Sequence, residues 1–295
     1  MNSEVNKMNK EKVAYLVDSG SNVPEEYVKL GNMNVIPLKI IYKNEEFIDN
    51  VNITPQEVYD RLPEEIPTTS LPSGEIISDI FKKIQDEGFK KVICVTISSG
   101  LSGTNNMVRV ISESFTDMEV LTIDSKNIGV GSGLIAVQAY KYVEAGLDWE
   151  TIKEKVEQDV KHSKIFFHVP TLEYLQKGGR IGLVASILGN MLNLKPVITC
   201  NEDGVYDTVA KIRGNKKSVQ KAIELTSDFA GKAKKYNLAI AYGGETAKAQ
   251  VEEIRSALKE ELPLFDEIFE GEVSPALGVH TGPGLIGIGI ILTES

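Results

Sequence analysis

The sequence predicts an α/β protein of two domains: a three-layer α/β/α unit around a parallel sheet, then a second α/β unit with a mixed sheet. Three observations predict it. The chain has 295 residues, more than a single hydrophobic core commonly serves. Its first half alternates continuous Val/Ile runs with helical patterns, which indicates a parallel sheet covered on both faces. Its second half carries a hairpin signal, which a purely parallel sheet would not contain.

Taken in order, Val13–Val17 reads as a buried strand ending in the turn cluster Asp18-Ser-Gly-Ser21. Val35–Ile41 reads as a second strand; Pro37 cannot donate to a ladder, so this one is expected to be bent or at an edge. Val92–Ile97 and Val120–Ile123 are the third and fourth strands, and the helical patterns fall at 55–62, 73–87, 104–115 and 130–145. A helix over 150–162 leads to the expected boundary, giving domains 11–163 and 164–295. Beyond it, Ile165–Val169 reads as a strand, and two apolar helical stretches flank Lys177-Gly-Gly-Arg180. Val197–Cys200 and Val205–Ile212 read as a hairpin around Asn201-Glu-Asp-Gly204. Helices near 215–235 and 246–261, with strands at 238–242, 266–270 and 286–293, complete the chain.

Composition narrows the function classes. Lys and Arg number 32 against 42 Asp and Glu, so the net charge is −10 and the surface repels a phosphate backbone at long range. General nucleic-acid binding is therefore not expected. Two cysteines exclude a disulfide framework and fit a reducing compartment. Met1–Lys12 is polar and charged with no apolar stretch of a secretory signal. The longest apolar run, Gly284–Leu292, falls far short of the roughly 20 residues that a spanning helix needs. A soluble cytoplasmic protein with no stable membrane insertion is expected. The three histidines, His162, His168 and His280, are too dispersed for metal-ligand spacing, so no metal is expected.

Ligands of an open parallel sheet bind beyond the carboxyl ends of its strands. The segments there are rich in hydroxyls and glycine: Asp18-Ser-Gly-Ser21, Thr68-Thr-Ser-Leu-Pro-Ser73, Ser98-Ser-Gly-Leu-Ser-Gly-Thr104 and Asp124-Ser-Lys126. Each alone reads first as a helix N-cap, and Pro72 supports a cap at 70–73. Ser98–Thr104, however, holds four hydroxyls and two glycines, more than one cap requires. Several such loops beside positive helix ends would form a small anion site, and neutral hydroxyls suit a carboxylate better than a polyphosphate.

Five motifs in order resemble the DegV family. They are Thr69-Ser-Leu-Pro-Ser73, Ser98–Thr104, Asp124-Ser125, Lys177-Gly-Gly-Arg-Ile181 and Ala276-Leu-Gly-Val-His-Thr-Gly-Pro-Gly284, preceded by Asp18-Ser19. The resemblance covers nearly the whole chain, with residues 1–10 preceding the family's usual start. It implies a two-domain fold that holds one long-chain fatty acid between its domains, with no other cofactor, and presents the carboxylate to a separate fatty acid kinase that forms an acyl phosphate. By the same resemblance, Thr69, Ser102 and His280 hold the carboxylate. The surrounding loops supply Ser70, Ser99, Gly103, Thr104, Asp124, Ser125 and Thr281 as secondary head-group candidates.

An acyl chain also needs an apolar tunnel. Leu183–Leu192 would place 183, 184, 187, 188, 191 and 192 on one helical face, facing either its own sheet or the tunnel. Burying roughly 15 methylenes at about 0.8 kcal/mol each contributes on the order of 12 kcal/mol gross, enough for tight binding after the costs of association. Apolar burial would set affinity and the hydroxyls orientation. Arg180 and Arg213 read either as solvated surface arginines or as groups flanking the head-group end, facing a kinase partner or the phosphate of its product.

Enzymatic alternatives find less support. Gly282-x-Gly284-x-x-Gly287 matches the dinucleotide fingerprint but lacks room for the helix and strand that must follow. The Gly-x-Ser-x-Gly elbow is absent, and Ser102 reads as a hydrogen-bond donor rather than a nucleophile. His280 reads as a residue of a Gly-rich loop, beside which a carboxylate would be held by a hydrogen bond or positive charge. The leading expectation is a carrier without chemistry of its own. The rival is a small-molecule phosphotransferase or hydrolase using the same cleft, and a third reading is a binder of another apolar carboxylate or a regulatory protein.

Overall fold

The computed structural model describes residues 12–30, 32–187 and 194–294. Thirteen strands are described in chain order. β1 (Val13–Asp18), β2 (Met33–Ile36), β3 (Lys39–Ile41), β4 (Glu46–Ile48), β5 (Thr68–Ser70), β6 (Lys91–Thr96) and β7 (Glu119–Asp124) lie in the first half. β8 (Ser163–His168), β9 (Leu194–Cys200), β10 (Tyr206–Arg213), β11 (Lys235–Tyr242), β12 (Phe265–Glu272) and β13 (Ile286–Glu294) follow.

The fold is the two-domain α/β architecture that the sequence predicts. β2-β1-β6-β7 form a wholly parallel sheet. Successive side chains of a strand point to opposite faces, and β1 fills both. Ala14 and Leu16 pack with Ile77, Phe81 and Val108 of the helices Gly74–Asp86 and Thr104–Ser112. Tyr15 and Val17 face the other way, into a core with Ile135 and Ala139 of the helix Val130–Glu144.

That last helix explains how the two sheets are joined. It packs on β1 and β6 on one side and on β8, β11 and β13 on the other. A helix between two sheets must be apolar all round, and Val130–Ala139 is buried without a break. Gly133 is required there, because a Cβ would lie 2.5 Å from the Ser21 carbonyl oxygen.

The second sheet runs β10-β9-β8-β13-β11-β12 and is mixed: only the β11–β12 pair is parallel. Its outer face is covered by the helices Asn215–Ala230 and Val251–Glu261. The β9–β10 hairpin turns at Asn201–Gly204, where the Asn201 side chain accepts the Asp203 and Val205 N–H groups and Gly204 takes a φ of +77°.

Three local expectations change. Val35–Ile41 is not one bent strand: Pro37 ends β2 at the edge of the parallel sheet, and β3 continues in a separate antiparallel sheet of order β4-β3-β5. His280 lies not in a loop but on a seven-residue helix, Pro275–Thr281, capped by the Ser274 hydroxyl on the Leu277 N–H with proline in the first turn. The expected apolar helix at 183–192 is a 3-10 helix over Gly182–Ile187, with Val184 buried and Leu183 exposed. Positions 188, 191 and 192 of that expected face lie outside the described residues. Among the described residues, no helix is long and apolar enough to cross a membrane.

Candidate functional site

A cavity of about 270 Å³ opens where the three sheets and the central helix meet. Much of its wall is apolar. β8 contributes Ile165 and Phe167, the segment before β3 contributes Leu38, and the loops after β6 and β7 contribute Ile97, Leu101 and Ile128. The Pro275–Thr281 helix adds Ala276 and Leu277. Such a volume is many times that of one water, and a wall of this kind favours apolar occupants.

Polar groups enter this wall at few points. Thr69, on β5, is set by its register opposite Ile40 of β3. Its hydroxyl lies 2.7 Å from Nε2 of His280, which comes from the other half of the chain. His280 is nine-tenths buried, and its imidazole pKa is pushed down to about 3, first by desolvation and then by the positive charge of Arg180. The ring is therefore neutral at physiological pH. Its Nδ1 has no hydrogen-bond partner among the described residues, so a proton there would be an orphaned donor, whereas a proton on Nε2 is accepted by Thr69. With the proton on Nε2, the Thr69 hydroxyl hydrogen is left free to donate to an occupant.

Arg180 also lines the cavity, half-buried, its guanidinium tied to the Gly178 carbonyl oxygen at 2.9 Å. The Lys177-Gly-Gly-Arg180 motif thereby acquires a physical reason. A Cβ on Gly178 would sit 2.2 Å from His280 Nδ1, so only glycine lets the imidazole and the arginine share one corner. Gly179 takes a φ of +72°, which turns the chain sharply enough to bring Arg180 back.

Of the residues singled out in the sequence, the cavity brings together Thr69, Ser70, Ser102, Arg180, His280 and Thr281. Ser102 bonds the Thr104 hydroxyl at 2.9 Å and takes the Thr104 N–H at 3.3 Å, since Gly103 at the N-cap has no side chain to do so. Thr281 donates to the Leu277 carbonyl oxygen and Ser70 to that of Leu71. The rest stand elsewhere. Gly103 backs onto Leu71. Ser99 bonds the Asp124 carboxylate through both its N–H and its hydroxyl, and Lys126 pairs with the same carboxylate at 2.9 Å. Ser125 is buried and donates to the Asn127 carbonyl oxygen. Arg213 is exposed on β10. Asp18-Ser-Gly-Ser21 is buried behind the site as scaffold: Asp18 accepts the Ile97 N–H and Ser19 the Leu38 N–H.

Sequence reasoning misses most of the apolar wall, because Ile165, Phe167 and Tyr206 carry no pattern beyond that of ordinary core strands. Among the described residues, no group of His, Cys, Asp or Glu side chains has the arrangement of a metal site.

Comparisons with known proteins bear on this cavity. The family model of the DegV family matches residues 12–293. A DegV domain-containing protein of Clostridium acetobutylicum is 39% identical, over 94% of this chain and 98% of its own. Among solved structures, a fatty acid-binding DegV family protein of Thermus thermophilus superposes with a TM-score of 0.88 at 27% identity, covering 95% of this chain and 99% of its own. A stearic acid-binding protein of Eubacterium ventriosum does so with a TM-score of 0.85 at 28% identity, covering 95% and 98%. With a family match along almost its full length and a relative well above 30% identical, this chain belongs to the DegV family.

Proposed function

We propose that this protein binds one long-chain fatty acid in the cavity, between a domain of residues 11–163 and one of 164–295. The observation that carries this is the pairing of an apolar wall with one polar corner, Thr69–His280–Arg180, in which the Thr69 hydroxyl meets a buried, neutral imidazole beside a half-buried arginine. The acyl chain would displace water from the wall and supply most of the affinity. Thr69 would donate to the carboxylate and Arg180 would offset its charge across a short, poorly hydrated distance. An anion seated there favours the charged form of His280, so binding would raise its pKa above the value of about 3 that burial and Arg180 impose. Ser102 and Thr281 would complete the polar rim.

We also propose that the protein is a carrier acting in the cytoplasm, which offers the carboxylate to a separate fatty acid kinase for acyl-phosphate formation. Support comes from the family resemblance and from Arg180, which is only half-buried beside the polar corner and so within reach of a partner's phosphate. Ser102 has a threonine as its neighbour rather than a base, which weighs against a hydrolase in the same cleft. Solvent extraction of the purified protein followed by mass spectrometry tests the binding, with about one fatty acid per chain expected. No acyl ligand, together with no thermal shift on adding fatty acids, would overturn the reading. Acyl-phosphate production by a purified fatty acid kinase, dependent on this protein, tests the carrier role.

A further inference from the structure

The contact between Thr69 and His280 joins residues 211 positions apart, and something must hold the two at hydrogen-bond distance. Thr69 is held by the small antiparallel sheet, through the β3–β5 register. His280 rides on a helix of seven residues, too short to be stable alone. Its position must come from what touches it.

The same small sheet reaches that helix a second time, through Asp49. This residue follows β4 directly, and its own N–H donates to the Leu38 carbonyl oxygen beside β3. Its Oδ1 accepts the N–H of Ala276 at 2.8 Å, in the first turn of the His280 helix. The residue is 1% exposed, and the Ser19 and Ser274 hydroxyls lie beside its carboxylate. Ala276 and His280 are four residues apart, one turn along the same helical face. One sheet therefore fixes both ends of the helix, with Asp49 at its start and Thr69 at the imidazole. A carboxylate also suits a helix N-terminus, where unpaired N–H groups point outward.

We propose that Asp49, which does not line the cavity, is the positioning residue of the head-group corner: it sets the His280 helix so that the imidazole meets Thr69. This rests on the fatty acid reading. It makes a selective demand on the energetics. A hydrogen bond weakens steeply with small changes of distance and angle, whereas apolar contact is non-directional. Loosening the helix should then damage recognition of the carboxylate and leave the hold on the acyl chain nearly intact.

The test compares hexadecanoic acid with its methyl ester, which keeps the chain and lacks the anion, by titration of delipidated protein. Asp49→Ala and Asp49→Leu both remove the acceptor; the leucine also removes the burial penalty of a carboxyl and keeps a similar shape, so it should fold where alanine fails. Both should weaken the acid about tenfold and the ester less than about twofold. Asp49→Asn keeps an acceptor oxygen and should bring the acid back to within about threefold of the original affinity. Equal losses for acid and ester, no loss for either, or failure of both variants to fold would overturn the positioning role. Thr69→Ala separates this from the underlying reading. If it leaves the acid-to-ester ratio unchanged, the head-group assignment itself fails; if it lowers the ratio and Asp49→Leu does not, only the role of Asp49 fails.

Discussion

Two hydroxyl-rich regions of the first half look alike in sequence and behave oppositely in the fold. Ser99, Asp124 and Lys126 form a closed polar cluster at the surface, each group answered by another. Burial works to raise the Asp124 carboxyl, but the hydrogen bonds from Ser99 and Lys126 outweigh it and hold the pKa below its ordinary value. Thr69 and His280, by contrast, make one bond between them and then face an apolar wall. The density of hydroxyls is the same kind of signal in both places. What marks a ligand corner is hydrogen-bonding capacity left over inside an apolar cavity, since buried polar groups without partners are costly unless an occupant supplies them.

The strongest way to break this contrast is to spoil the apolar wall. Leu277→Asp places a carboxylate on the cavity face of the His280 helix and should weaken hexadecanoic acid and its methyl ester alike, by more than about 100-fold in a binding titration. Binding that survives would mean that the chain lies elsewhere.

Next comes the protonation of His280. Its folded pKa of about 3 lies below the ordinary 6.5, so between those values the unfolded chain binds a proton that the folded one refuses. The stability that neutral His280 contributes is therefore complete above pH 6.5 and is lost as pH falls toward 3. Relative to His280→Gln, the delipidated protein should lose about 2 kcal/mol between pH 7 and pH 5, read as a change in the Tm difference. Saturating fatty acid should shrink that loss, because the anion favours the imidazolium. A Tm difference independent of pH would place His280 in a wetter setting.

A smaller effect isolates the free hydroxyl. Thr69→Ala should cost about tenfold in affinity for the acid, and Thr69→Ser should restore most of it. The smallest effect belongs to the other region. Ser99→Ala should change fatty acid affinity by less than about twofold and stability by about 1 kcal/mol or less, measured by titration and denaturant unfolding. A large binding defect there would erase the distinction between the two clusters.

How far the sequence reveals this depends on the length of each element. The long Val/Ile runs and amphipathic helices declare themselves, and so does the hairpin at Asn201–Gly204. β4 and β5, of three residues each, are too short for an alternating pattern, so the small sheet that positions Thr69 is not visible. The His280 helix hides behind its glycine and β-branched residues, although Ser274 before Pro275 is the signal of a capped start. Thr69, Ser102 and His280 come into view through the resemblance of their motifs. Asp49 stands in no motif, and its role depends on a contact 227 residues away.

The central claim is that the polar corner, and not the surface cluster, receives the carboxylate. A crystal structure with hexadecanoic acid bound tests it most directly. The carboxylate should lie within hydrogen-bond distance of the Thr69 hydroxyl, on the side shared by His280 and Arg180, with the chain running between Leu38, Phe167 and Leu277. A carboxylate found at Ser99 and Lys126, or a chain lying outside this cavity, would contradict it.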